Sequence, residues 1–553
     1  MPTCAEILSR TLREAGITRM FGLPGGEILD FMEAARRAGI EFLLTRHEAT
    51  ASLMADVTGQ ISRRPGVCVS TLGPGAVNMT LGVANAFLDR SPLIAITASH
   101  ALAASPLATH QNLDLNAVYR PFTKLAMTLD AINTASKVRR AIAASLAPRM
   151  GPVHIALPSD VARSQESEEA PPVNSQLPTP NSQLPTPNSQ LPTSNSQTPS
   201  PKPQNGLEHV ARALQQSRRP VAVLGLDLEH RAHAAAVRHF VESLRLPVFV
   251  TPKAKGIFPE DHALFYGVCA GVSADTVVLD LFRRSDLLVG IGFEPVESDK
   301  LWHHELPLVS VGPLSIASGA YRPRAEAVGD VVDMLGRLER DAPGPFDWTD
   351  GDRATFRGQL DRALRPQSRP RGLSAYELTR RLRELFPRDA IFTTDVGSVK
   401  MVTTQAWTTY EPMTFFESNG LSAMSYSLPA AMAARLQFPG REILCTIGDG
   451  GFGMTLADLE TCVREDLRFV IIVFNDSSLS LIDAAQQRRG YPTLGVRYGA
   501  VDFATVARGF GAWGARVRTL EELDDALAQA RKADRVAVVD VLIDPAEYVT
   551  QRC

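Results

Sequence analysis

Short apolar runs bounded by glycine, proline and small polar residues alternate with longer stretches of helical periodicity along this chain, and the alternation restarts twice. The first series includes Gly66-Val67-Cys68-Val69-Ser70-Thr71, Leu93-Ile94-Ala95-Ile96-Thr97 and Val153-His154-Ile155-Ala156-Leu157. The second includes Val221-Ala222-Val223-Leu224, Pro247-Val248-Phe249-Val250 and Leu287-Leu288-Val289-Gly290. The third includes Ala390-Ile391-Phe392-Thr393, Ile443-Leu444-Cys445-Thr446-Ile447, Phe469-Val470-Ile471-Ile472-Val473-Phe474 and Val536-Ala537-Val538-Val539-Asp540-Val541. Strands separated by helices build parallel sheets, because one parallel strand reaches the next only through a crossover, usually a helix. The pattern predicts an α/β fold of three consecutive parallel-sheet domains over 1–165, 207–340 and 372–553, joined by linkers over 166–206 and 341–371. A chain of 553 residues has the length for three such units.

Composition marks the longer linker and narrows the function. Between Asn174 and Pro201 the heptapeptide Asn-Ser-Gln-Leu-Pro-Thr-Pro recurs nearly in tandem, and a run so rich in proline and poor in aromatics cannot bury enough surface to offset its ordering entropy. Net charge is only -3 and no basic stripe carries interleaved aromatics, which argues against a nucleic-acid partner. No apolar run approaches the ~20 residues that cross a bilayer, so no membrane partner is expected. The cysteines (Cys4, Cys68, Cys269, Cys445, Cys462, Cys553) are scattered and read as reduced thiols, and the amphipathic start has no signal core; both point to the cytoplasm.

Chemistry concentrates in the third series. Gly448-Asp449-Gly450-Gly451 follows one strand and Asn475-Asp476 closes the next, with a helix predicted over 456–464 between them. In a parallel unit both loops emerge at the carboxyl edge of the sheet, so Asp449 and Asp476 converge. Glycines let the backbone approach a diphosphate, free amides at the helix start favour negative charge, and two carboxylates with a main-chain carbonyl suit Mg2+. Taken alone, Gly-Asp-Gly is a tight turn; the flanking strands and the second acid raise it to a motif.

This pattern resembles the fingerprint of thiamine-diphosphate enzymes, and the likeness to the acetolactate synthase type extends along the chain outside the repeat linker. The resemblance implies that Asp449, Asp476 and the carbonyl of Ser478 hold Mg2+, with Gly448, Gly450, Gly451 and Leu479 lining the cofactor. Asp476 stands where the second asparagine of the family is commoner. Thr394-Asp395-Val396-Gly397-Ser398 resembles the family's loop over the diphosphate, which places Val396, Gly397 and Ser398 at the cofactor; the family often continues with Gln-His, whereas Ser398-Val399 stand here. In Ser422-Ala423-Met424, Met424 falls on the position of the apolar wedge that bends the cofactor.

The first series resembles the pyrimidine-binding half. Phe21-Gly22-Leu23-Pro24-Gly25-Gly26, Arg46-His47-Glu48 and Ser70-Thr71-Leu72-Gly73-Pro74-Gly75-Ala76-Val77-Asn78 match in order and spacing, so Pro24, Gly25, Thr71, Gly73 and Asn78 are implied at the cofactor and Glu48 as the activating acid. A first-turn glutamate also suits a helix dipole, which is the structural alternative. A partly buried carboxyl beside the pyrimidine can share a proton with it, which readies the cofactor to act as electron sink in decarboxylation. Gln111 matches a glutamine near the reacting centre.

Where the likeness thins, specificity is at stake. Ser159 stands where biosynthetic synthases have lysine, and Ala485 where they carry the tryptophan of the acceptor pocket. Their FAD-binding Gly-Ala-Arg-Phe-Asp-Asp-Arg run appears as Gly290-Ile291-Gly292-Phe293-Glu294-Pro295-Val296, without its arginines, so thiamine diphosphate and Mg2+ are expected and FAD is not. The resemblance implies decarboxylation of a 2-oxo acid such as pyruvate with carboligation, in a homodimer or homotetramer whose sites lie between subunits. The alternatives are a non-ligating decarboxylase, lyase or oxidase, and a silent cofactor-binding relative.

Overall fold

All three strand series pair in parallel, and each forms one six-stranded sheet. The computed structural model describes residues 1–102, 107–166, 206–269, 271–297, 306–318, 321–342, 344–365 and 372–550; the tandem-repeat linker and Cys553 lie outside them.

The first sheet contains β1 (Arg19–Leu23), β2 (Glu41–Leu44), β3 (Gly66–Ser70), β4 (Leu93–Ser99), β5 (Leu125–Thr128) and β6 (Pro152–Pro158), in the order 2-1-3-4-6-5. The second contains β7 (Pro220–Leu224), β8 (Val248–Val250), β9 (Phe265–Val268), β10 (Leu287–Ile291), β11 (Leu308–Gly312) and β12 (Ala325–Val328), in the order 12-11-10-7-8-9. The third contains β13 (Ile391–Thr394), β14 (Phe415–Glu417), β15 (Ile443–Gly448), β16 (Val470–Asn475), β17 (Trp513–Val517) and β18 (Ala537–Leu542), in the order 14-13-15-16-18-17. Strand for strand, the first and third sheets have one topology. Their central strands are buried along all or nearly all of their length, as helices on both faces require.

The first and third units share a core. Helix Glu48–Ser62 packs on helix Ser427–Gln437, where Ala430, Ala431, Ala433 and Ala434 are buried with Ala51, Leu53 and Ala55 in a single cluster. Small side chains bring the two helices close, so each buries its apolar stripe without a cavity. At the start of Glu48–Ser62 the two units are also hydrogen-bonded: Arg46 N and Thr50 Oγ1 donate to Asp458, at 2.8 and 2.6 Å.

Two expectations need correction. The segment 341–371 is not an open linker, because helix Asp350–Leu364 runs through it, started by a Thr349/Asp352 capping box and anchored by buried Phe356, Leu360 and Leu364. The helix predicted over 456–464 is present as Asp458–Arg464, but a further, unexpected helix, Asp449–Thr455, precedes it. Asp449 is thus the first residue of a helix rather than part of the loop before it.

Candidate active site in two half-sites

Open parallel sheets bind ligands where strand order reverses, because the loops at the carboxyl ends of the two flanking strands diverge and leave a crevice. In the first sheet the reversal lies between β1 and β3, and in the third between β13 and β15. Pro24 and Gly25 follow β1, Thr71 to Asn78 follow β3, Val396 to Ser398 follow β13, and Asp449 to Gly451 follow β15. Most of the sequence-derived candidates therefore fall at two equivalent topological positions.

In the first half-site Glu48 opens helix Glu48–Ser62 and is only 5% exposed. Asn78 Nδ2 donates to Glu48 Oε2 at 3.1 Å, and a Cβ on Gly75 would stand 3.0 Å from Glu48 Oε1. Gly73, at φ +62°, lies against Gln111: a Cβ there would come within 2.9 Å of the Gln111 Cβ. Gln111 itself has φ 54°. The turn Gly73-Pro74-Gly75 thus links Gln111 to the glutamate. Thr71 Oγ1 donates to Glu27 Oε2 at 2.9 Å and leaves no room for a side chain at Gly25; Pro24 is exposed. Beneath the turn the buried Tyr119 hydroxyl donates to Ala76 O at 2.5 Å, and its ring stacks 4.0 Å from His154. Neither Tyr119 nor Glu27 stood out in the sequence, since an aromatic on a short helix and a loop acid look ordinary.

In the second half-site Asp449 and Asp476 meet. Asp449 Oδ2 accepts from Asp476 N at 3.1 Å and Ser477 N at 2.6 Å, while Asp476 accepts from Ser478 N and Ser480 Oγ at 3.0 and 2.7 Å. Burial, with Asp449 alongside, pushes the Asp476 carboxyl up to about 7, and burial raises Asp449 too. Among the described residues no cationic side chain pairs with either acid. Around Gly450 stand Leu479 Cδ2, the Tyr498 hydroxyl and Met424 Cε, at 3.1, 3.1 and 3.5 Å from where its Cβ would be. Tyr498, from an irregular stretch with no sequence signal, donates to Asp449 Oδ1 at 2.6 Å. Gly451 has a different cause from cofactor approach: a Cβ there would lie 1.8 Å from Asp395 Oδ2. Asp395 is fully buried, accepts Ser425 N and Tyr426 N, and burial pushes its carboxyl up to about 7.

The loop 418–425 that carries Ser422, Ala423 and Met424 is held from two sides. Ser418 Oγ donates to Asn85 Oδ1 at 2.5 Å and accepts from Ala423 N at 2.8 Å, and Gly420 N donates to Asp89 Oδ1 at 2.9 Å. Lys400, buried, donates to Ser418 O and Asn419 Oδ1 and pairs with Glu417 at 3.2 Å. These ties hold Ser422 and Ser425 in left-handed conformations, φ 55° and 72°. Among the described residues no hydrogen bond or ion pair joins Glu48 to Asp449, Asp476 or Met424.

Three models of one family each cover most of one of the three sheets. They are the N-terminal TPP binding domain of thiamine pyrophosphate enzymes over residues 2–118, the central domain over 207–338 and the C-terminal TPP binding domain over 395–541. The chain belongs to the thiamine pyrophosphate enzyme family. It is 27% identical to the acetolactate synthase of Bacillus subtilis (strain 168), over 99% of this chain and 94% of that one. It is also 27% identical to the catabolic acetolactate synthase of Raoultella terrigena (98% and 95% covered). With the acetolactate synthase isozyme 1 large subunit of Escherichia coli (strain K12) it shares 28% identity (99% and 95% covered).

The residues of this thiamine pyrophosphate enzyme fit the group its family is named for. Ser398 Oγ, at the start of helix Ser398–Ala406, is buried without a hydrogen-bond partner, as a donor kept for a phosphate oxygen would be. Two adjoining carboxylates without a cationic partner are the donor chemistry of a hard divalent ion. Gly450 leaves open the space between Met424, Leu479 and Tyr498.

The switch point of the central sheet, between β7 and β10, is different. Leu226 N donates to Glu297 Oε2 at 2.7 Å and Asp227 N to Gly292 O at 2.8 Å, so the amides after β7 already have internal acceptors. Burial pushes Glu297 from 4.5 up to about 8. Between those two values the folded protein holds a proton that the unfolded chain has lost, so stability present below pH 4.5 is lost as pH rises through about 8. Glu297→Gln keeps an oxygen for Leu226 N and removes the titration. Its melting temperature should exceed the parent's by about 2–4 °C at high pH and converge with it on acidification. Thermal scans from mildly acidic to mildly alkaline buffer would show this, and a gap independent of pH would contradict it.

Proposed function

We propose that this protein is a thiamine-diphosphate- and Mg2+-dependent enzyme that decarboxylates a 2-oxo acid and joins the remaining acyl unit to a second carbonyl. The observation that carries the reading is the pairing of two chemistries at equivalent switch points: a buried glutamate held by Asn78, and a buried acid pair beneath an open glycine cradle. When bound, the cofactor supplies the carbanion centre and the electron sink. Asp449, Asp476 and the Ser478 carbonyl would hold the metal; Gly448, Val396, Gly397 and Ser398 would receive the diphosphate; Met424 and Leu479 would support the apolar body. Glu48 holds and returns a proton at Oε1, its other oxygen fixed by Asn78. Gln111, reached through the Gly73 turn, is placed to hydrogen-bond the substrate. What supports the absence of FAD is the internal use of the β7 loop amides by Glu297 and Gly292.

The working unit is at least a homodimer in this reading, with the Glu48 half of one chain facing the Asp449 half of another. Of the fifteen large apolar residues left exposed among the described residues, eleven lie on the segments around the two half-sites. Leu29, Val77, Leu102, Leu107 and Leu113 surround the first; Met454, Ile482, Tyr491, Leu494, Tyr498 and Val501 surround the second. Exposed apolar residues gathered around functional segments support an association surface.

The test is product analysis with purified protein, thiamine diphosphate, Mg2+ and a panel of 2-oxo acids. Carbon dioxide and a hydroxyketone are expected, and chelation of the metal should abolish both. Aldehyde release without ligation would favour a simple decarboxylase, and no turnover with any acid would reject the enzyme reading.

A further inference from the structure

A cavity of about 400 Å3 opens beside Gln111 at the carboxyl edge of the first sheet, large enough for a small ligand. Its wall is part leucine and alanine and part polar, the polar part including His100, Asn112, Asp114, Asn116 and Thr128. Asn116 Nδ2 donates to Thr128 Oγ1 at 2.8 Å, but Asn116 Oδ1, shielded from solvent, has no partner. An orphaned acceptor in a cavity wall is satisfied by a ligand hydroxyl and repelled by a ligand carboxylate, because a carboxylate brings only acceptors. His100 Nε2 is already spent on His110 O at 2.8 Å.

The charges tell the same way. Among the described residues no lysine or arginine lines the cavity. Asp114 is in the wall, and Asp160 accepts Leu102 N at its edge. Arg46 and His47 precede Glu48 without lining the cavity. In the second half-site, the segments 395–400, 418–425, 448–451, 475–480 and 496–498 contain two cations, Lys400 and Arg497, which are already paired with Glu417 and Asp483. Arg488 and Arg489 stand further off, at the exposed end of helix Ser480–Arg488.

We infer that this cavity is the acceptor subsite and that it selects a neutral hydroxylated aldehyde rather than a second 2-oxo acid. The inference rests on the carboligase reading above. The donor's carboxylate leaves as CO2 and needs no lasting counter-ion, whereas an acceptor's carboxylate would persist into the product with no counter-ion from the described cavity wall. In the joining step the acyl carbon left by CO2 loss forms a carbon–carbon bond to the aldehyde carbon. The aldehyde oxygen takes up a proton to become a hydroxyl, and the product is a hydroxyketone; no oxidant or reductant is consumed.

The experiment holds the donor constant and offers acceptors in competition, glycolaldehyde against glyoxylate and glyceraldehyde against pyruvate, with the full chain, thiamine diphosphate and Mg2+. The neutral partner should win by at least about tenfold in kcat/KM. Asn116→Leu should raise the KM for the aldehyde and lower the yield of hydroxyketone per CO2 released. Asn116→Lys should shift the competition toward the acids by about tenfold, by supplying the missing counter-charge. Equal or better use of glyoxylate by the parent protein overturns the inference, as does an Asn116→Leu variant with the parent's KM and yield. Absence of CO2 release from every donor would instead bring down the carboligase reading beneath it.

Discussion

Glu48→Gln should leave the coenzyme bound while cutting turnover by about 10²–10⁴-fold, the range that a positioned proton-transfer group contributes. The substitution is close to isosteric. A glutamine oxygen still accepts from Asn78 Nδ2 as Glu48 Oε2 does, and the first turn of helix Glu48–Ser62 keeps its His47 cap. What disappears is the ability to hold and return a proton in a site too enclosed for water to substitute freely. Calorimetric titration with thiamine diphosphate and Mg2+ should give near-parental affinity, and steady-state CO2 release should show the loss. A variant with parental turnover would return Glu48 to the role of an ordinary helix-start acid.

Two crippled chains should rescue each other. Glu48→Gln damages the first half-site, and Asp449→Ala removes a proposed metal ligand from the second, so in the proposed homodimer each variant is expected to be inactive at both centres. If one centre is built from the Glu48 half of one chain and the Asp449 half of the other, a hybrid dimer has one doubly damaged centre and one intact centre. With free exchange half the dimers are hybrids, and the mixture should recover about a quarter of parental activity, as a two-fold symmetric arrangement requires. Co-expressing the two variants and measuring CO2 release from the purified mixture checks this. Recovery at the background of either variant alone would mean that both halves of a centre come from the same chain, and the intersubunit arrangement would have to be abandoned.

The sheets were legible in the sequence because continuous apolar runs separated by helical stretches have few other ways to satisfy both their faces and their hydrogen bonds. The meeting of Asp449 and Asp476 was legible for the same reason, since loops after neighbouring parallel strands share an edge. The helix over 350–364 was missed because its segment reads as polar and proline-flanked, and only packing of Phe356 and Leu360 reveals its buried side.

By itself the amino-acid order determined the α/β class and the glycine-rich loops after the strands, which depend on periodicity and turn chemistry over a few neighbouring residues, and the motifs in those loops carried the resemblance to the family. Only the tertiary structure decided that the first and third sheets share one strand order, that Tyr498 reaches Asp449, and that Asn85, Asp89 and Lys400 hold the loop of Met424. Most of those contacts join residues far apart along the chain. Those of Asn85 and Asp89 bridge the first and third units, which bury a common core along helices Glu48–Ser62 and Ser427–Gln437, and no local pattern encodes which distant surface will be covered.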